Sequence, residues 1–215
     1  MNLSAVILAG GESRRMGRDK AWVEFEGQPL IVRAVSTVRD SGINEVYVSG
    51  RAGTDYSALR CSVLLDQGPG AGPLSGIERA LDTTQAPLTL VLAVDLPRMT
   101  AAFLQKLVER CDPLTGVIPK LRGQLEPLAA IYPKRCLLIV RDCLLRCQFA
   151  ARDFAEASRF YRAIKTFAVP RSDMRCFENW NCPSDVVDSE TRADNVPPQP
   201  TNLECNTLAR NSKPN

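Results

Sequence analysis

An α/β fold with a mostly parallel central sheet between two helical layers is the class the 215-residue sequence predicts. Three observations predict it. Strand-like and helix-like patterns alternate along the chain, as they do when parallel strands are joined by helical crossovers. The segment Leu88 to Val94 is almost wholly apolar, the pattern of a strand buried on both faces. A length near 200 residues supports one good core rather than two comfortable domains.

The elements follow in order. Leu3 to Ala9 is a β-branched, apolar run and reads as a buried strand. Gly10 to Lys20 is rich in Gly and Arg and reads as a loop. Trp22 to Phe25 is a short strand turning at Gly27. Pro29 to Asp40 carries a helical apolar period, with Pro29 suited to a first turn and Ser41-Gly42 ending it. Glu45 to Ser49 and Ser62 to Leu65 are further strands, Asp66 to Pro73 a loop, and Leu74 to Leu81 a helix. After Leu88 to Val94, Thr100 is an N-cap for a helix reaching about Arg110. Thr115 to Ile118 and Leu128 to Tyr132 are strands, Pro133 to Phe149 and Arg152 to Phe160 helices, and Ala163 to Val169 a late strand. From about Asp188 to Asn215 the chain is polar and rich in Pro and Asn, the composition of a disordered tail.

Composition narrows the chemistry. There is no histidine, which removes the commonest general base and zinc ligand. A net charge of +3 is too small to argue for nucleic acid or an anionic membrane, so phosphate-binding charge must be local. Eight cysteines include no Cys-x-x-Cys pair. Cys143 and Cys147 share a helix spacing and read as packing. Free thiols in apolar runs fit a reducing, cytoplasmic compartment. Ser13-Arg14-Arg15 follows its apolar run instead of preceding it, so it is no twin-arginine leader, and no run approaches the roughly 20 residues of a membrane span.

Two constellations carry chemistry. Gly10 and Gly11 leave the first strand where an open α/β sheet binds its ligands, and consecutive glycines let backbone N–H groups approach phosphate oxygens. Arg14, Arg15, Arg18 and Lys20 put positive charge beside them. The segment Gly17-Arg18-Asp19-Lys20 lacks a Walker ending, and the Gly-x-Gly-x-x-Gly dinucleotide fingerprint is missing. Asp95 ends the most apolar strand, where a carboxylate needs a charged partner. Mg²⁺ is suited to that position, with Asp66 at the end of another strand able to face the same cleft. Turn roles for Asp95 and Asp66 stand as the plainer alternatives. Gly70 to Gly76 permits close approach of a ligand or of another loop. Asn179-Trp180-Asn181-Cys182-Pro183 taken alone is a turn before a short helix.

Together these segments resemble the molybdenum cofactor guanylyltransferase family, within the nucleotidyltransferases of three-layer, Rossmann-like fold. Leu8-Ala9-Gly10-Gly11-Glu12-Ser13-Arg14-Arg15-Met16-Gly17-Arg18-Asp19-Lys20 meets the family's opening motif at each defined position. Gly72-Pro73-Leu74-Ser75-Gly76, Asp95-Leu96-Pro97 and Asn179 to Pro183 are similar to its later motifs. The likeness spans about Ala5 to Asp188. It implies a nucleotidyltransferase domain over residues 1–187 with residues 188–215 as the tail. It implies transfer of GMP from GTP to the terminal phosphate of molybdopterin-bound molybdenum cofactor, with Mg²⁺, releasing pyrophosphate. Leu8, Ala9, Gly10 and Gly11 would meet the nucleotide through their backbones. Lys20 would bind its phosphates, and Lys20 with Arg14 or Arg15 would stabilise the departing pyrophosphate. Asp66 would help hold the nucleoside and Asp95 would bind the metal. Arg51 aligns where the family usually has Asn, which leaves base choice open. GTP and the pterin cofactor would be the partners, with transient contact to molybdoenzymes or their chaperones, and neither nucleic acid nor membrane. A cytidylyl- or sugar-phosphate nucleotidyltransferase and a non-catalytic GTP-binding delivery protein are the alternatives.

Overall fold

The computed structural model describes residues 2–10, 19–65 and 72–180. The predicted tail, Gly11 to Arg18 and the 66–71 loop lie outside them.

A sheet is built around β1 (Leu3–Leu8), whose residues are nearly all buried. On one side β1 pairs in parallel with β4 (Glu45–Gly50), which pairs in parallel with β5 (Ser62–Leu65). On the other side it pairs in parallel with β6 (Leu88–Ala93). Beyond β6 lie β9 (Ala129–Pro133), β7 (Gly116–Leu121) and β10 (Ile164–Ala168), with β8 (Gln124–Leu125) added to β7. Among the described residues of this sheet, only β8 and β9 run antiparallel to their neighbours. A two-residue hairpin of β2 (Glu24–Phe25) and β3 (Gln28–Pro29) stands apart and turns at Glu26-Gly27, both with positive φ.

Strand alternation sorts the core into two clusters, one on each face. Ala5, Ile7, Val48, Leu90 and Leu92 pack with α1 (Leu30–Asp40) and α3 (Ala101–Val108). Val6, Val91, Ala130 and Tyr132 pack with α2 (Pro73–Thr83), α4 (Cys136–Leu145) and α5 (Ala151–Phe160). The predicted three-layer, Rossmann-like class is therefore observed. The chain leaves β1 toward β4 and β5 and then returns to place β6 on the opposite side. This reversal makes a crevice at the carboxyl ends of β1 and β6.

Several boundaries differ from expectation. The helix expected over 133–149 covers only Cys136–Leu145, because Pro133 belongs to β9. Its far end is a Schellman turn: Cys147 is left-handed at φ 57, Gln148 N–H donates to Cys143 O, and Cys147 N–H to Leu144 O. Cys147 is therefore exposed beyond the helix, whereas Cys143 is buried. Cys136 is also a core thiol, and its burial pushes it up to about 12. β7 runs on through Pro119 to Leu121. The missing donor is tolerated where the pairing with β9 has shrunk to Val117 opposite Ile131. A 3-10 turn over Arg171–Phe177, unforeseen, leads into Asn179 and Trp180. Pro29 caps α1 and does not enter its first turn. No helix among the described residues is long and apolar enough to cross a membrane.

Candidate active site

The carboxyl end of β1 is tied to both neighbours. Ala9 N–H donates to Ser49 O at 2.9 Å, and Val94 N–H donates to Leu8 O at 3.2 Å. Gly10 O accepts from Arg51 Nε at 3.3 Å, so Arg51 links the end of β4 to the start of the Gly-rich loop. Arg51 is itself steadied by its backbone N–H donating to the Tyr56 hydroxyl at 3.1 Å.

Across the crevice stands Asp95, two residues past β6. Lys20 begins a short 3-10 turn (Lys20–Trp22) capped by the Asp19 carboxylate, which accepts from Ala21 N–H. From there Lys20 Nζ reaches Asp95 Oδ2 at 3.2 Å, with side chains only 18% and 28% exposed. That degree of burial screens the pair less than a fully exposed one. The two residues lie 75 positions apart in sequence, and the fold brings them into contact. Leu8, Ala9, Gly10, Arg51, Lys20 and Asp95 are thus gathered at one edge. Gly11, Arg15 and Asp66 lie outside the described residues.

A ring of contacts that sequence reasoning missed holds the Asp95 turn. Trp180 N–H donates to Asp95 O at 3.1 Å, which brings the start of the Asn179–Pro183 motif to the site. Arg33, from α1, donates through Nε to Pro97 O at 2.7 Å. Phe25 packs edge-on against Trp180, with the Arg33 and Arg98 guanidiniums over its ring. Arg98 pairs with Glu178 at 3.0 Å. One sequence signal existed for Arg33: a cation set beside the apolar stripe of Leu30, Ile31, Val35 and Val38.

The Gly72–Gly76 segment resolves into packing at one position. A Cβ on Gly76 would lie 2.5 Å from Ser49 Oγ and 2.8 Å from Leu8 Cδ2. Gly76 therefore lets α2 sit directly on β1 and β4, so what comes close at this glycine is a pair of strands and not the ligand or loop expected.

The donor chemistry at Asp95 suits Mg²⁺. The ion takes hard oxygen ligands and is commonly held by one or two carboxylates, with substrate phosphates and water completing the shell. Among the described residues no group of three or more His, Cys, Asp or Glu forms a cage. A cavity of about 380 Å³ opens beside this region, lined by Leu121, Arg122, Met174, Arg175, Phe177 and Glu178. None of the sequence-predicted residues lines it. The paired charges and strand ends are the better guide to chemistry than concavity alone.

Comparison with known proteins places the chain in a family. Residues 5–163 match the MobA-like NTP transferase domain. A probable molybdenum cofactor guanylyltransferase of Opitutus terrae is 36% identical over 186 residues, covering 85% of this chain and 92% of the relative. Another, from Pelotomaculum thermopropionicum, is 31% identical over 202 residues, covering 91% and 95%. Among solved structures, molybdopterin-guanine dinucleotide biosynthesis protein A from Archaeoglobus fulgidus has a TM-score of 0.70 at 22% identity, covering 90% of this chain and 100% of that one. The 2-C-methyl-D-erythritol 4-phosphate cytidylyltransferase of Thermus thermophilus has a TM-score of 0.68 at 17% identity, covering 90% and 99%. These two likenesses speak for the fold.

Proposed function

Since the chain belongs to the MobA-like NTP transferase family, we propose that it transfers GMP from GTP to the terminal phosphate of molybdopterin-bound molybdenum cofactor, releasing pyrophosphate. The names of its relatives support the substrates, and the Lys20–Asp95 contact at the β1–β6 crevice supports the site.

The acceptor phosphate is already anionic, so neither a histidine base nor a protein nucleophile is required. The protein must align two anions and neutralise charge. The nucleotide meets the strand end through the Ala9 carbonyl and the Gly10 N–H, because the Ala9 N–H is spent on Ser49. Arg51, from its seat on Gly10, borders the nucleoside. Asp66 holds the nucleoside and Gly11 the phosphates. Lys20 and Arg15 bind the β- and γ-phosphates and stabilise the pyrophosphate as it leaves. Asp95 holds Mg²⁺, which when bound supplies charge neutralisation at the phosphate oxygens. Lys20 and Asp95 pair with each other at 3.2 Å, and in the reaction each charge takes its own partner, Lys20 the phosphates and Asp95 the metal.

The test is pyrophosphate release from GTP, CTP, ATP and UTP, each with molybdopterin cofactor and with or without Mg²⁺. Release with GTP alone, dependent on both acceptor and Mg²⁺, is the expected result. Equal release from CTP would defeat the base assignment.

A further inference from the structure

One acidic side chain at the carboxyl edge takes no part in the Lys20–Asp95 pair. Glu126 opens the turn that leads from β8 into β9. Hydrogen bonds fix the backbone of that turn. Glu126 N–H donates to Pro119 O at 3.0 Å, and Ala129 N–H to Glu126 O at 3.3 Å. Ala93 N–H donates to Leu128 O at 2.7 Å. The buried Tyr132 donates its hydroxyl to Pro127 O at 2.9 Å.

The same bonds locate Glu126. β6 and β9 pair antiparallel with Leu92 opposite Ala129, and the Ala93–Leu128 bond continues that register. Asp95 follows Ala93 by two residues, and Glu126 precedes Leu128 by two. Both acids thus lie two residues beyond that bond, at the carboxyl end of β6 and the amino end of β9, on the same edge of the sheet.

The Glu126 side chain is half-buried, and burial lifts its carboxyl above the ordinary range, with Arg152 opposing the shift. Among the described residues, no group hydrogen-bonds or ion-pairs with the carboxylate. A partly desolvated carboxylate on a rigid turn is unfavourable until a donor arrives.

Building on the proposed reaction, we infer that Glu126 is the specificity residue for the acceptor, its carboxylate taking the paired N–H donors on the 2-amino-4-oxo edge of the pterin ring. Two oxygens facing two N–H groups make a bidentate, charge-assisted contact. Guanine presents the same edge, but position separates the two. The strand order β9-β6-β1-β4 puts Glu126 on the far side of Asp95 from Arg51 and Gly10. An in-line displacement brings the acceptor in from the side opposite the departing pyrophosphate. Glu126 thus borders the approach of the acceptor.

Steady-state kinetics on wild type, Glu126→Gln and Glu126→Ala, varying GTP and molybdopterin cofactor separately, test this. Thermal shift with Mg²⁺–GTP confirms that each variant is folded and binds nucleotide. Both variants are expected to raise the acceptor KM about 10- to 100-fold and to leave the GTP KM within about twofold. Glu126→Asp, with the charge one methylene shorter, recovers part of the loss. A raised GTP KM with an unchanged acceptor KM would move Glu126 to the guanine and overturn the inference, as would no change in either. If wild type transfers nothing to the pterin, the reading of the reaction fails. Direct titration of molybdopterin into wild type and Glu126→Ala then decides the role of Glu126: weaker binding by the variant supports it, and equal or absent binding defeats it.

Discussion

At the amino edge of the sheet, polar side chains answer one another; at the carboxyl edge they are arranged toward a crevice. Ser4 and Thr89 hydroxyls lie 3.2 Å apart, and the buried Thr84 donates to Ser4 Oγ at 2.9 Å while accepting from Ala86 N–H. Lys134 Nζ donates to Thr84 O at 2.6 Å and Asp82 O at 3.0 Å, and Tyr47 donates to Glu45. At the opposite edge, Lys20 and Asp95 pair across 75 residues, Arg51 sits on a loop carbonyl, and Glu126 has no donor among the described residues. One sheet thus closes its polar chemistry at one end and holds charge ready at the other. Buried hydroxyl networks favour a single packing, whereas charges at a topological switch point favour a ligand.

The largest expected effect breaks the carboxyl edge alone. Asp95→Ala should lower GMP transfer by at least about 10³-fold. Its melting temperature should move by no more than about 2 °C. Transfer assays and calorimetry on the same preparation check both halves. The converse breaks the amino edge. Thr84→Val should cost about 1–3 kcal/mol in urea unfolding, because it leaves the Ala86 N–H without its acceptor and the Ser4 hydroxyl with Thr89 alone, while the transfer rate stays near wild type. A rate that falls with stability would show that the two edges are not separable.

How far this division was visible in the sequence differs between the edges. That Leu8, Ala9, Gly10, Lys20 and Asp95 gather at one edge was legible, because glycines, a cation and a carboxylate at strand ends are local patterns. The strands β1 and β6 were legible because both of their faces are buried. The antiparallel insertion of β9, and with it the placement of Glu126 on the same sheet edge as Asp95, was not. Strand direction depends on which partners are found across the sheet, and a five-residue apolar run carries no such information. Arg33 and Trp180 escaped for a related reason: each acts through a backbone carbonyl of the Asp95–Pro97 turn, a contact with no residue-type signature. Pro133 and Cys147 misled the helix boundaries, since apolar periodicity continues past the turns that end α4.

Two smaller effects sharpen the comparison. Arg33→Met keeps an apolar stem over Phe25 but loses the donor to Pro97 O. Transfer should slow about tenfold at saturating substrates, with the KM for GTP little changed, as expected of a positioning residue. Glu126→Gln should raise the melting temperature slightly at neutral pH. Burial raises this carboxyl in the folded protein above its unfolded value, so ionisation destabilises. The cost is absent below the unfolded value, grows as pH rises through it, and levels off above the folded value. Melting curves should therefore coincide near about pH 4 and separate above it, with the variant higher.

Single-turnover transfer of label from [α-³²P]GTP to molybdopterin cofactor, by wild type and by Lys20→Ala, tests the β1–β6 crevice most directly. The expected result is a labelled guanine dinucleotide with stoichiometric pyrophosphate from wild type and almost none from the variant. Label moving at the wild-type rate in Lys20→Ala would contradict the assignment of chemistry to that crevice.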